Sequence, residues 1–208
     1  MRQNLINLMM TVASMFYTNT PTVKEFDNRF DEFKNFKYEV VCENKQKQVV
    51  NFEKLSVTYS SEAFEKTIAF IKKHEGFAGG KAYYCCAGYK TIGYGHVIKP
   101  NEHFENDKIT KKEADRLLRH DFSHSVALAR KHTNNLNENQ LMAVAHFIFA
   151  KGIGNYLKSE LKHKIDNGEN PDEEFKKWCK YHKPNGQVVT SNYSLNIRKW
   201  EVEMFNTE

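Results

Sequence analysis

One stretch constrains this chain more than any other: Glu75 to His96, reading EGFAGGKAYYCCAGYKTIGYGH. Before it, Phe64, Ile68 and Ile71 recur at helical spacing and lead to Glu75. Gly76, Gly79 and Gly80 then stop the helix. Tyr83 to Cys85 and Thr91 to Tyr94 read as strands joined near Gly88. The layout suits an acid at the mouth of a cleft, followed by a tight hairpin that carries the other half of a site.

Glu75 stands where the helix dipole is already negative, so ionisation is disfavoured there. Partial burial against aromatic residues acts in the same direction. A glutamic acid that stays protonated near neutral pH is what a general acid requires. Cys85 and Thr91 are candidates for a second group that handles water. An acid on one side and a water-handling group on the other is the arrangement that cleaves a glycosidic bond. A plain reading stands beside this one. Glu75 is then a surface carboxylate near Lys72 and Lys73, Cys85 a small buried hydrophobe and Thr91 a β-former in a hairpin.

The 208 residues allow one full domain plus an extension, or two small domains. A unit of roughly 150 residues buries about 68–70% of its unfolded surface, so a core forms without disulfide staples. The net charge of +5 suits an anionic partner such as cell wall, nucleic acid or a membrane surface, and equally suits plain solubility. Cys42, Cys85, Cys86 and Cys179 lack zinc-pair spacing, so no metal site is expected. A bridge between the adjacent Cys85 and Cys86 would be strained, and a Cys42–Cys179 bridge requires export. Leu5 to Tyr17 is mostly apolar but is interrupted by Asn7. It reads either as a weak export signal or membrane anchor, or as an ordinary amphipathic helix.

Two units follow from the patterning: an extension over residues 1–58 and a catalytic-type domain over 59–208. In the extension, Thr22 with Glu25 opens a helix bearing Phe26, Phe30 and Phe33. Tyr38 to Cys42 and Val49 to Phe52 read as short strands. Downstream, Thr110 with Glu113 opens a helix carrying Ala114, Leu117, Leu118, Phe122 and Val126. Asn137 with Gln140 opens another, with Leu141, Val144, Ala145, Ile148 and Phe149 inward. Tyr156, Leu157, Leu161 and Ile165 mark a third, and Asn170-Pro171 starts one holding Phe175 and Trp178. The last runs from about Ser194 to Phe205, with Ile197 and Met204 inward. One small sheet followed by a mostly helical lobe is the α+β class.

Glu75, Cys85 and Thr91, the Thr-Ile-Gly-Tyr-Gly-His run and several later motifs resemble the phage-type lysozymes, the endolysin muramidases of glycoside hydrolase family 24. The family spacing is Glu, eight residues, Asp or Cys, five residues, Thr. Cys85 to Thr91 keeps the five, whereas nine residues separate Glu75 from Cys85. Gly79-Gly80 can absorb the extra one, or Cys86 takes the position. The resemblance extends through Leu117 to Asp121, Leu136 to Gln140, Phe147 to Gly154 and Leu195 to Glu201, and covers roughly residues 61–206.

The resemblance implies a lysozyme-like fold of two lobes around a cleft, joined by a long helix. It implies hydrolysis of the β-1,4 bond between N-acetylmuramic acid and N-acetylglucosamine. Glu75 would donate the proton, and Cys85 with Thr91 would position or activate water, giving inversion. It also suggests that His96 pairs with Asp121. Tyr83, Tyr84, Tyr89 and Tyr94 either line a sugar cleft or pack the hairpin. Arg198 and Lys199 read as a solvated helix face, with wall carboxylates as the other reading, and Ala150 stands where the family often has Asn. The implied partner is bacterial peptidoglycan, met by a monomer that uses no metal and no organic cofactor. The N-terminal segment serves for export or membrane contact, or release is through a phage holin. A non-catalytic wall-binding module is the alternative, since a neutral thiol stabilises a cationic centre less well than a carboxylate. Nucleic acid is not expected as a partner, because the lysines are dispersed and no nucleic-acid motif is present.

Overall fold

The computed structural model describes residues 48–51, 61–85, 88–182 and 186–208. The apolar run Leu5 to Tyr17, the helix expected after Thr22, the strand expected from Tyr38 to Cys42, and Cys86 lie outside the described residues. Of the strand expected from Val49 to Phe52, residues 49–51 are described, and Val49 alone of them lies in a strand, β1 (Gln48–Val49).

Helix α1 (Glu62–Glu75) begins at Ser61, whose side chain accepts a hydrogen bond from the Phe64 N–H at 3.0 Å. Ala63, Phe64, Thr67, Ile68 and Ile71 form its buried stripe. Acidic Glu62 and Glu65 in the first turn and Lys72, Lys73 and His74 in the last all favour the helix dipole. Glu75, its final residue, runs against it. The Gly76 N–H closes the helix on the Lys72 carbonyl at 3.1 Å.

The chain then forms a three-stranded antiparallel sheet in the order β2 (Tyr83–Tyr84), β3 (Lys90–Ile92), β4 (His96–Val97). Thr91 sits opposite Tyr83 on one side and Val97 on the other. The alternation suggests a strand to Tyr94, but β3 ends at Ile92. Gly93 and Gly95 take φ values of 65° and 93° and turn the chain into a third strand. A Cβ at Gly93 would lie 3.0 Å from the Ala114 side chain, so glycine lets the hairpin sit on the next helix. β5 (Glu102–His103) pairs in parallel with β1, and the Val50 N–H bonds the His103 carbonyl at 2.8 Å.

Both expected capping boxes are present. Thr110 and Glu113 open α2 (Lys111–His132), and Asn137 and Gln140 open α3 (Glu138–Lys151). α2 runs past the Leu117–Asp121 motif to His132 and adds Leu128 and Ala129 to its buried stripe. α3 departs from the one-faced pattern: every residue from Leu141 to Ile148 is buried, and Phe149 is half-buried. A helix apolar all round belongs inside a bundle, and α3 packs against α1, α2 and α7 (Asn192–Phe205).

The single helix expected from Tyr156 to Ile165 is two, α4 (Ile153–Leu157) and α5 (Glu160–Asp166). Ser159 breaks it by capping α5, accepting from the Lys162 N–H at 3.1 Å, and Leu157 is left exposed. α6 (Asp172–Lys177) is followed by a hairpin that sequence alone does not suggest, β6 (Lys180–His182) with β7 (Val188–Thr190). Phe64 meets Phe122 at 5.4 Å between ring centres, and Phe147 sets its edge to Tyr156, Phe175 and Trp178. Each such ring stabilises the fold by about 1.5–3 kcal/mol through burial. The class is the expected α+β, a small antiparallel sheet followed by a helical lobe.

Candidate active site

Glu75 is half-buried, and burial pushes its carboxyl up to about 7. No hydrogen bond among the described residues holds that carboxyl. The turn at Gly95 lies over it: a Cβ at Gly95 would be 3.9 Å from Glu75 Oε2. The hairpin therefore folds back on the helix end as the spacing of 75–96 implies. Lys72, one turn back on α1, pairs with Asp115 on α2.

Cys85 and Thr91 share a partner on the hairpin. The Cys85 N–H donates to the Tyr89 carbonyl at 3.0 Å, and the Thr91 hydroxyl donates to the same oxygen at 3.0 Å. The Gly88 N–H closes the loop on the Cys85 carbonyl at 2.9 Å. Thr91 is buried, and Cys85 is half-buried with a free thiol. Burial, and then the Cys85 side chain, push the Tyr89 phenol up. Of the four hairpin tyrosines, Tyr94 is buried and packs on Phe77 at 5.5 Å, whereas Tyr84 is 71% exposed. Among the described residues no hydrogen bond joins Glu75 to Cys85 or Thr91; the hairpin backbone sets their relation.

The expected pairing of His96 with Asp121 is present. His96 Nδ1 lies 2.7 Å from Asp121 Oδ2 on α2, and Nε2 lies 2.9 Å from Glu102 Oε2. Burial alone would pull the imidazole down, but Asp121 and Glu102 outweigh it and raise it to about 9. Both ring nitrogens then donate. Burial would raise Glu102, yet the bond to His96 and the Lys99 N–H at 2.9 Å hold it at about 2. The clamp fastens the end of the hairpin to the middle of α2.

The sequence misplaces Arg198. It reads as part of a solvated face, yet Arg198 is 2% exposed, while Lys199 is exposed as expected. One oxygen of the fully buried Glu201, Oε1, takes Arg198 Nη2 at 3.0 Å and His146 Nδ1 at 2.6 Å. Arg198 also stands 5.4 Å over the Phe147 ring. The missed signal is spacing: Arg198 and Glu201 lie three apart on the same face as Ile197 and Met204. Tyr193 is also absent from the sequence reading, and its hydroxyl donates to the His74 carbonyl at 2.8 Å. Cys179 is buried with a free thiol.

Among the described residues no group of three or more His, Cys, Asp or Glu side chains is placed to hold a metal ion. No described helix is long and apolar enough to cross a membrane.

Residues 72–199 match the family model described as phage lysozyme. An endolysin of Acyrthosiphon pisum secondary endosymbiont phage 1 is 36% identical over 146 residues, which is 69% of this chain and 97% of that relative. The muramidase domain of SpmX from Asticaccaulis excentricus superposes with a TM-score of 0.61 at 26% identity, over 69% of this chain and 96% of its own. An endolysin from Escherichia coli O157:H7 phage FAHEc1 gives a TM-score of 0.60 at 27% identity, over 70% and 92% of the two chains. On that match of 72–199 and that 36% identity, the chain belongs to the phage lysozyme family and is a glycoside hydrolase of the muramidase type.

Proposed function

We propose that the enzyme cuts the β-1,4 bond between N-acetylmuramic acid and N-acetylglucosamine in peptidoglycan, with Glu75 as the acid. The observation that carries this reading is the carboxyl of Glu75, raised to about 7 by burial beneath the Gly95 turn. A carboxylic acid with that affinity for its proton is still about half protonated at neutral pH and gives the proton up to a leaving oxygen.

Cys85 and Thr91 handle the water on the other face of the sugar. The Thr91 hydroxyl spends its single proton on the Tyr89 carbonyl, so its lone pairs are left to accept from water. A water held by that acceptor turns its own lone pair toward the anomeric carbon. Its oxygen bonds that carbon as the glycosidic bond breaks, the Glu75 proton goes to the departing sugar, and the surplus proton returns to solvent. Attack from the face opposite the leaving group inverts the anomeric centre.

The test is clearance of purified peptidoglycan by the full chain, wild type beside Glu75→Gln, with the released ends identified. New N-acetylmuramic reducing ends of inverted configuration from the wild type alone support the reading. N-acetylglucosamine ends would overturn the bond assignment, and turnover by Glu75→Gln would overturn the acid.

A further inference from the structure

Glu75 has no side chain holding its carboxyl among the described residues, so its aim depends on the backbone that carries it. That backbone is the last turn of α1, where the final carbonyls lack partners within the helix. The Gly76 N–H serves Lys72. The His74 carbonyl, directly before Glu75, is served from α7 instead: the Tyr193 hydroxyl donates to it at 2.8 Å.

A second contact joins the same two elements. Trp200 on α7 stacks on Phe70 of α1 at 3.8 Å and 10°. Phe70 in turn meets His74 at 4.2 Å, and His74 meets the Tyr193 ring at 5.9 Å. α7 therefore grips the end of α1 through one aromatic stack and one hydrogen bond. That bond brings the Tyr193 ring to the residue directly before Glu75, and burial, then the charge on Glu75, push its phenol well above its ordinary value.

We infer that Tyr193 is a positioning residue for the reaction: its hydroxyl fixes the last turn of α1 and so the aim of Glu75, while its ring keeps water from the carboxyl. The inference rests on Glu75 being the acid. Neighbouring titrating groups do not mimic Glu75. His74 is held below its ordinary value by burial, with Lys73 and His146 adding to the effect, so it is neutral at pH 7. Lys72 is engaged by Asp115.

The two roles separate by substitution in the full chain. Tyr193→Phe keeps the ring and removes the hydroxyl; Tyr193→Ala removes both. kcat, KM and the pH profile are measured on soluble peptidoglycan fragments, with Glu75→Gln as the reference and thermal melting to register folding. Misaim of an acid by a fraction of an ångström is expected to cost Tyr193→Phe about tenfold in kcat with KM within about twofold. Its alkaline limb stays where the wild type has it. Tyr193→Ala loses as much kcat and its alkaline limb falls by about one pH unit, because water reaches the carboxyl. Wild-type kcat in Tyr193→Phe, with Glu75→Gln inactive, would overturn the inference and leave the acid standing. A lower melting temperature with unchanged kcat would reduce Tyr193 to a structural contact and also overturn it. Turnover by Glu75→Gln would remove the acid, and the inference with it.

Discussion

Cys85 and Thr91 are bound to one atom, the carbonyl oxygen of Tyr89, each at 3.0 Å. Residues six positions apart are thereby tied to the same carbonyl. Thr91 is buried, so valine fits its volume and keeps the strand. Thr91→Val should fold normally and lose about 100-fold in kcat, while Thr91→Ser keeps most of it. Initial rates on peptidoglycan fragments decide the matter. Full activity in Thr91→Val would show that the hydroxyl serves the hairpin alone.

Glu75 should cost the protein stability at high pH. Its folded value of about 7 lies above the ordinary 4.5, so the native state holds a proton that the unfolded chain has released. Stability therefore falls as pH rises through this window, and the full cost is present above pH 7. The shift corresponds to a cost on the order of 3 kcal/mol. Glu75→Gln should accordingly melt higher than wild type at pH 8, with the gap shrinking toward pH 4.5. Equal melting at both values would contradict the burial of the carboxyl.

The His96 clamp carries the opposite sign. The folded imidazole, at about 9, lies above the ordinary 6.5. Its contribution is complete below pH 6.5 and is lost as pH rises through 9. Glu102, at about 2 against 4.5, contributes above pH 4.5 and is lost as pH falls through 2. The clamp is strongest between pH 4.5 and 6.5. A double-mutant cycle of His96→Gln with Asp121→Asn should show a coupling of at least about 1 kcal/mol at pH 6 and much less at pH 9.5. Additivity at pH 6 would mean that the pair carries no energy.

Removing the Arg198 charge should be severe. Arg198→Met leaves Glu201 fully buried with His146 as its remaining bonded partner. Loss of one member of a buried ion pair costs about 3–5 kcal/mol, so chemical denaturation should show a shift of that order. The double variant Arg198→Met with Glu201→Leu should recover much of it, because no uncompensated charge remains. A mild single variant would indicate that Glu201 takes up a proton in its place.

The parts of this fold that are legible in sequence are those held by neighbours in the chain. The boxes Thr110–Glu113 and Asn137–Gln140 span three residues each, and both occur as read. The site stretch is legible for the same reason: Glu75, the glycines and the hairpin follow one another directly. The pairing of His96 with Asp121 was reachable only through family resemblance, since nothing local links the two. Distant partners decide the rest. Arg198 looks solvated until Glu201 and His146 are seen to bury it. Tyr193 reaches across 119 positions to His74, and no periodicity encodes such a bond. The β6–β7 hairpin carries Lys180 and His182 where an apolar alternation would have announced a strand. Ser159 shows the reverse failure: an apolar spacing that runs on through Leu157 conceals a polar cap that ends one helix and starts another.

The clamp at His96 also limits how the two lobes can move. One charged bond at its ring joins β4 to Asp121, midway along α2, and a second joins β4 to Glu102 on β5. The imidazole is thus a rivet through three elements: displacing β4, α2 or β5 breaks a bond at the same ring.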